Sequence, residues 1–165
     1  MLKQQRQFDA IYKANYQKVI RICMGYVNGN KALASDIAQE VFVKVWKSLA
    51  GFREEAAIST WIYRITVNTC LLELRNKKYT QPYQEYHQLP ETQEEPYADK
   101  EKQLKKMYQC IAKLSKGNRA IILLELEGLP QKEIAEIMGI SHEAVRVRVH
   151  RTKNSLTKCV KNDSI

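Results

Sequence analysis

Along the N-terminal part of the chain, apolar residues recur at three- and four-residue steps, and the two-residue alternation of a half-buried strand is absent. Phe8, Ile11, Tyr12, Tyr16, Val19, Ile20, Cys23 and Val27 trace one stripe, which predicts a single amphipathic helix. The turn-rich VNGNK, Val27 to Lys31, ends it. A second helix is predicted from about Ala32 to Leu49, with Ile37, Val41, Val45 and Leu49 facing inward. GFREEAAI, Gly51 to Ile58, reads as a loop. A third helix then opens at Ser59 and Thr60, both good N-cap residues ahead of an apolar run, and continues to about Lys78. Its expected core stripe is Ile62, Ile65, Thr69 and Leu72. That leaves Trp61, Arg64 and Asn68 together on the opposite side, with no core role to play.

The pattern stops at Gln81. From there to Asp99 the chain holds three prolines, no lysine or arginine, and the acids Glu85, Glu91, Glu94, Glu95 and Asp99. So polar and interrupted a stretch predicts a flexible acidic linker. Helical spacing returns with Leu104, Met107, Tyr108, Ile111 and Leu114, followed by a short apolar helix from Asn118 to Glu127 that Gly128 closes. The predicted architecture is all-α: two small helical domains, residues 1–80 and 100–165, joined by a linker over residues 81–99.

Near the C-terminus, QKEIAEIMGISHEAVRVRVHRTK has the grammar of a helix-turn-helix. Ile134, Ala135 and Met138 give the first helix its inner face, Gly139 can take the positive φ that ends it, and Ser141 can cap the next. In that second helix Val145, Val149, Thr152 and Leu156 face inward. Arg146, Val147, His150 and Arg151 share the outer face, with Arg148 and Lys153 at its margins. A helix so equipped fits a DNA major groove, where arginine bonds guanine edges and other cations hold phosphates.

Charge strengthens this picture. The chain of 165 residues carries a net +9, which suggests a polyanionic partner, nucleic acid or an anionic membrane. The linker contributes about −5, leaving the two flanking parts at about +14. MLKQQRQFDAIYK has no signal-peptide core and no run approaches a membrane span, so a cytoplasmic protein with no membrane insertion is expected. Cys23, Cys70, Cys110 and Cys159 lie far apart without metal-ligand spacing; free thiols are expected, and neither metal nor cofactor. No nucleophile–base pairing or glycine-rich phosphate loop involves Cys110, His87, His142 or His150, so an enzyme is not expected.

Two segments together, SDIAQEVFVKVWKSLAGFREEAAISTWIYRITVNTCLLELRNKK and LEGLPQKEIAEIMGISHEAVRVRVHRTKNSL, resemble a bacterial RNA polymerase sigma factor of the sigma-70 family, in its small, extracytoplasmic-function class. The resemblance spans nearly the whole chain. It implies two globular parts: a region 2 bundle of three or four helices that binds core polymerase and recognises and melts the promoter −10 element, and a region 4 helix-turn-helix domain that reads the −35 element. DIAQEVFVKVW matches the helix that grips the clamp helices of the β′ subunit, on Asp36, Gln39, Glu40, Phe42 and Trp46. Gln39, Phe42, Val43 and Trp46 also fall on one side by spacing, away from the Ile37–Val41–Val45 stripe. Spacing alone equally admits Trp46 as internal packing.

By the same resemblance GFREEAAI receives a flipped-out base of the −10 element, and STWIYRITVN holds the melted strand. The implied contacts are Phe52, Trp61, Arg64 and Asn68, with Trp61 stacking or wedging, Arg64 on a phosphate and Asn68 on base edges. Primary sigma factors have two adjacent tryptophans where this chain has Trp61 and Ile62, which implies weaker melting and a stricter demand for promoter sequence. Arg146, Val147, His150 and Arg151 match the −35-reading positions, with Arg148 and Lys153 beside them. Val147 and Ala144 replace the Ser and Thr common there, and Val147 can contact a thymine methyl instead. The acidic linker matches the segment that threads the basic channels of the polymerase. Implied partners are core polymerase, through its β′ clamp helices and β flap, promoter DNA, and an anti-sigma factor that can hold the protein at the inner membrane face. The competing reading is a helix-turn-helix regulator that never binds polymerase.

Overall fold

The structure, a computed structural model, describes residues 2–53, 57–76 and 95–162. Helix α1 spans Leu2–Tyr26 and α2 spans Lys31–Ser48. The reversal between them is built by Asn28 and Gly29, both at positive φ, and by Asn30, whose side chain accepts from the Leu33 N–H at 3.2 Å to cap α2. A 3-10 turn at Leu49–Gly51 closes α2, and α3 runs over Ile58–Arg75. These three helices pack on one another as the first bundle. The second consists of α4, Glu95–Ala112, α5, Lys116–Leu126, α6, Gln131–Met138, and α7, His142–Asn162.

The expected inner stripe of α2 is present: Ile37, Val41, Val45 and the following Leu49 are all buried. In α1 Ile11, Val19 and Cys23 are buried, and Tyr12 is 40% exposed. The third helix departs from expectation at its start and in its buried face. It starts at Ile58, with Ala57 at the cap position and no side-chain capping bond; Ser59 and Thr60 already lie inside it. Its buried face is Thr60, Ile62, Tyr63, Thr66, Val67, Thr69 and Cys70, whereas Leu72 is 43% exposed. Two of the buried threonines bond within the helix, Thr66 Oγ1 donating to the Ile62 carbonyl at 2.8 Å and Thr69 Oγ1 to that of Ile65 at 2.7 Å. Lys44 of α2 then reaches Thr69 Oγ1 at 3.2 Å, tying α2 to α3.

Two further expectations are corrected. Helix α4 begins at Glu95, so the last five residues assigned to the linker are helical; Pro96 is tolerated because the first turn has no partner for its missing N–H. The remainder of the linker lies outside the described residues. Cys110 and Cys159 are also not free: 5.9 Å apart at Cα, they form a disulfide joining α4 to the last turns of α7. Cys23 and Cys70 are free, with their sulfurs 3.8 Å apart inside the first bundle. Burial raises the Cys70 thiol well above its ordinary pKa, so it behaves as a small hydrophobe.

The two bundles share one continuous core. Buried side chains run from Ile11 through Cys70 to Cys110, the α5 residues Ile121 to Leu124, and on to Leu156. Helix α3 meets α5 and α6, and α1 meets α4 and α5.

Candidate nucleic-acid interface

Helix α7 is placed by its buried stripe, Val145, Val149, Thr152 and Leu156, all turned in as their spacing requires. The turn before it is equally local in origin. Gly139 sits at φ 68°, ψ 31°, its N–H bonded to the Ala135 carbonyl, and Ser141 Oγ accepts from the Ala144 N–H at 3.1 Å. This leaves Arg146, Val147, His150 and Arg151 exposed on one face, free of core duties. Arg146 pairs with Glu143 one turn back at 2.5 Å, with both side chains largely exposed, so the pair yields easily to a stronger anionic partner.

The two marginal cations differ from expectation. Arg148 is half-buried and turned inward, its Nε donating to Asn118 Oδ1 at 2.8 Å. Lys153 reaches Glu125 of α5 at 3.2 Å. Both therefore brace α7 on α5, because α5 supplies polar partners that the α7 sequence alone does not reveal. Arg146→Ala is expected to cost about 1–3 kcal/mol of promoter binding at one base position, with folding unchanged. Arg148→Ala is expected to lower thermal stability and weaken binding uniformly. Melting curves with binding to single-base operator variants separate the two.

On α3, Arg64 and Asn68 are exposed and Trp61 is half-buried against the core, three and four residues apart on one side as expected. The Trp61 ring lies 4.8 Å from that of Phe52, tilted by 35°. Phe52 thus reaches from the preceding loop to form an aromatic step with Trp61, a suitable platform for an unpaired base. Of the loop between them, residues 54–56 lie outside the described residues. Arg64 is already engaged: its guanidinium donates to the Glu136 carbonyl at the end of α6, at 3.1 Å.

On α2, Asp36, Gln39, Glu40 and Trp46 are exposed and Val43 is 45% exposed. Phe42 is not part of this outer surface. It is buried under the aromatic ring stack of α1, 4.8 Å from Tyr12 and 6.1 Å from Tyr16 by ring centroid. Phe8 bridges Phe42 at 6.4 Å and Trp46 at 5.3 Å, both edge-on, so Trp46 rests on an aromatic floor and still shows an open face.

Sequence spacing did not reveal the seam between bundles. Arg21 donates to both carboxylate oxygens of Glu127 at 2.8 Å, which raises the arginine pKa further above its ordinary value. Gly25 lies against Leu123, and Arg119 sits 5.9 Å from the Tyr26 ring centre. Burial lowers the Arg119 pKa and raises those of Tyr26 and Tyr63, the latter to about 12; neither phenol oxygen has a hydrogen-bond partner among the described residues. These pairs are far apart in sequence, and the one local hint is Gly25 itself, a helix-weakening residue inside an apolar pattern.

Comparison with known proteins agrees with this geometry. Residues 11–80 match the family model Sigma-70 region 2, and residues 104–156 match Sigma-70, region 4. The chain is 30% identical to the ECF RNA polymerase sigma-E factor of Escherichia coli, over 92% of this chain and 85% of that one. It is 27% identical to the RNA polymerase sigma-H factor of Pseudomonas aeruginosa, over 94% and 86%. Among solved structures it resembles CnrH in complex with the cytosolic domain of CnrY, with a TM-score of 0.73, 21% identity and coverage of 97% of this chain and 91% of that one. It also resembles the sigma factor RpoE in complex with the anti-sigma factor NepR from Bartonella quintana, with a TM-score of 0.71, 17% identity and coverage of 94% and 98%.

Proposed function

The chain belongs to the sigma-70 family of RNA polymerase sigma factors, in the extracytoplasmic-function class, and from that premise we propose how its surfaces divide promoter recognition. A sigma factor is an initiation subunit: it brings core polymerase to promoters and helps open the duplex. Here residues 1–80 bind core polymerase and the −10 element, the second bundle, from Glu95 onward, reads the −35 element, and residues 81–94 tether them. On α2, Gln39, Val43 and Trp46 with the acids Asp36 and Glu40 dock on the β′ clamp helices; Phe42 holds this surface from beneath. The second bundle rests on the β flap.

On α3, the Phe52–Trp61 step stacks a base of the melted non-template strand, Arg64 holds a phosphate and Asn68 bonds base edges. On α7, Arg146, Val147, His150 and Arg151 enter the major groove. The observation that carries this reading is a pair of outer faces on two bundles of one chain: Arg64 and Asn68 exposed beside the half-buried Trp61 on α3, and the exposed Arg146, Val147, His150 and Arg151 on α7. Catalysis then belongs to the polymerase, and this chain needs no cofactor or metal of its own.

One structural relative is bound to an anti-sigma factor, which supports a cognate anti-sigma factor as the inhibitor of this chain too. No helix among the described residues is long and apolar enough to cross a membrane, in keeping with a cytoplasmic protein held at the membrane, if at all, through that partner. Replacing Asn68 by alanine is expected to cost about 1–2 kcal/mol, roughly 5- to 30-fold, in open-complex formation, and to flatten base preference within the −10 element. Promoter opening scored across a −10 substitution series measures it; an unaltered preference profile removes Asn68 from the reading surface.

A further inference from the structure

The two cysteine pairs are placed differently. Cys23 and Cys70 face each other inside the first bundle, both fully buried, with sulfurs 3.8 Å apart and no bond between them. Cys110 and Cys159 are bonded, 5.9 Å apart at Cα, within the ordinary span of a disulfide. Cys110 is buried on α4 beside the equally buried Ile111. Cys159 is half-buried in the last turns of α7, so it is the residue of this pair that solvent reaches. The exposed Lys158 and Lys161 place positive charge beside it, which draws an anionic reagent.

Cys159 follows Leu156 by one helical turn and so continues the inner stripe of α7. Leu156 is the last buried side chain of that stripe; beyond it Cys159 and Val160 are only half-buried. The bond to Cys110 is therefore the strongest tie between the final turns of α7 and α4. Its ends are 49 residues apart in the chain, so closing it removes many conformations from the unfolded bundle. The face from Arg146 to Arg151 ends about 12 Å before Cys159 along the same helix. Transcription takes place in a reducing compartment, where a protein disulfide is as a rule transient or redox-sensing.

We propose that Cys110 and Cys159 form a reversible dithiol–disulfide site that exchanges with a low-molecular-weight disulfide of the glutathione type, and that closing it stabilises the second bundle and strengthens −35 binding. The Cys159 thiolate attacks one sulfur of oxidised glutathione and releases one glutathione thiolate, leaving a mixed disulfide. The Cys110 thiolate then attacks Cys159 Sγ and releases the second. Two protein thiols are oxidised, one glutathione disulfide is reduced to two thiols, and the two protein protons pass to the released thiolates. Cys23 and Cys70 take no part, because both are sealed from the reagent. The effect on DNA rests on the −35 role proposed for α7; the exchange itself does not.

The test equilibrates the full chain and Cys159→Ala in excess reduced or excess oxidised glutathione, then alkylates and maps the peptides. The Cys110–Cys159 bond is expected to open in the first buffer and close in the second, with Cys23 and Cys70 alkylated only after unfolding. Melted without DNA, the oxidised chain is expected to unfold several degrees above the reduced chain, and Cys159→Ala at the reduced temperature in both buffers. Binding is then measured to promoter fragments that the chain selects, with core polymerase, from genomic DNA. The oxidised chain is expected to bind them severalfold more tightly than the reduced chain, and Cys159→Ala to be indifferent to the buffer. Failure to select any promoter overturns the −35 reading and leaves the exchange to be decided by mapping and melting. A bond that stays closed in reduced glutathione, thiols that stay free in oxidised glutathione, or equal melting and equal binding of the two forms overturns the proposal.

Discussion

Trp46→Ala is expected to weaken binding of core RNA polymerase by about 2–4 kcal/mol, roughly 30- to 1,000-fold, and Gln39→Ala to weaken it further. The indole is 38% exposed, its lower edge rests on Phe8, and Val43 extends the apolar surface beside it. The exposed acids Asp36 and Glu40 give that surface a polar rim. A large aromatic held rigid by neighbours and open on one face is what interface hot spots are made of. Truncation removes contact area and leaves the Phe8–Phe42 floor in place, so the bundle should keep its fold. Phe42→Ala is the contrasting variant: a buried ring is lost from the α1–α2 seam, costing about 3–5 kcal/mol of stability, with polymerase binding lost through unfolding. Affinity measured beside thermal melting distinguishes the two. Unchanged affinity in Trp46→Ala removes α2 from the polymerase interface.

The second large effect is expected at the turn of the helix-turn-helix. Gly139→Val should destabilise the second bundle by about 1–3 kcal/mol and abolish −35-dependent promoter use. The residue sits at φ 68°, where a β-branched side chain collides with its own backbone, and its N–H closes α6 on the Ala135 carbonyl. Relaxing that φ would re-aim α7 relative to α6, and with it the whole Arg146–Arg151 face. Gly139→Asn, which tolerates the left-handed region, should retain most of both properties. Equal activity of the valine and asparagine variants would mean that the turn does not set the aim of α7.

Those two sites also show what was legible in the sequence. The α6–α7 turn was readable because its signals are local: a glycine where the chain needs positive φ, a serine three residues before the N–H it caps, and an inner stripe at Val145, Val149, Thr152 and Leu156. The reversal at Asn28 and Gly29 was readable for the same reason. Phe42 was misplaced because its side of α2 is claimed by Phe8, Tyr12 and Tyr16 of α1, and a stripe on one helix does not say which neighbour covers its flank. Helix α3 was misread further round its circumference. It is apolar almost everywhere because it is covered by α1 and α2 and also by α5 and α6, so no single polar face fixes its rotation.

The pairing of Arg148 with Asn118 and of Lys153 with Glu125, and the joining of Cys110 to Cys159, depend on partners roughly 30 to 50 residues away, and periodicity carries no such information. The candidate site was therefore legible where one helix presents it, on α3 and on the outer face of α7. It was not legible where two elements build it, as with the Phe52–Trp61 step and the seam that holds Arg64.

The most direct measurement is run-off transcription with bacterial core polymerase, this chain and a library of genomic DNA fragments. Discrete transcripts are expected that depend on the chain and share two sequence elements, one near −10 and one near −35, with Asn68→Ala and Arg146→Ala altering the preference at the first and second respectively. Transcripts no different from those of core polymerase alone, or sequence-specific DNA binding without any association with the polymerase, would contradict its action as a sigma subunit.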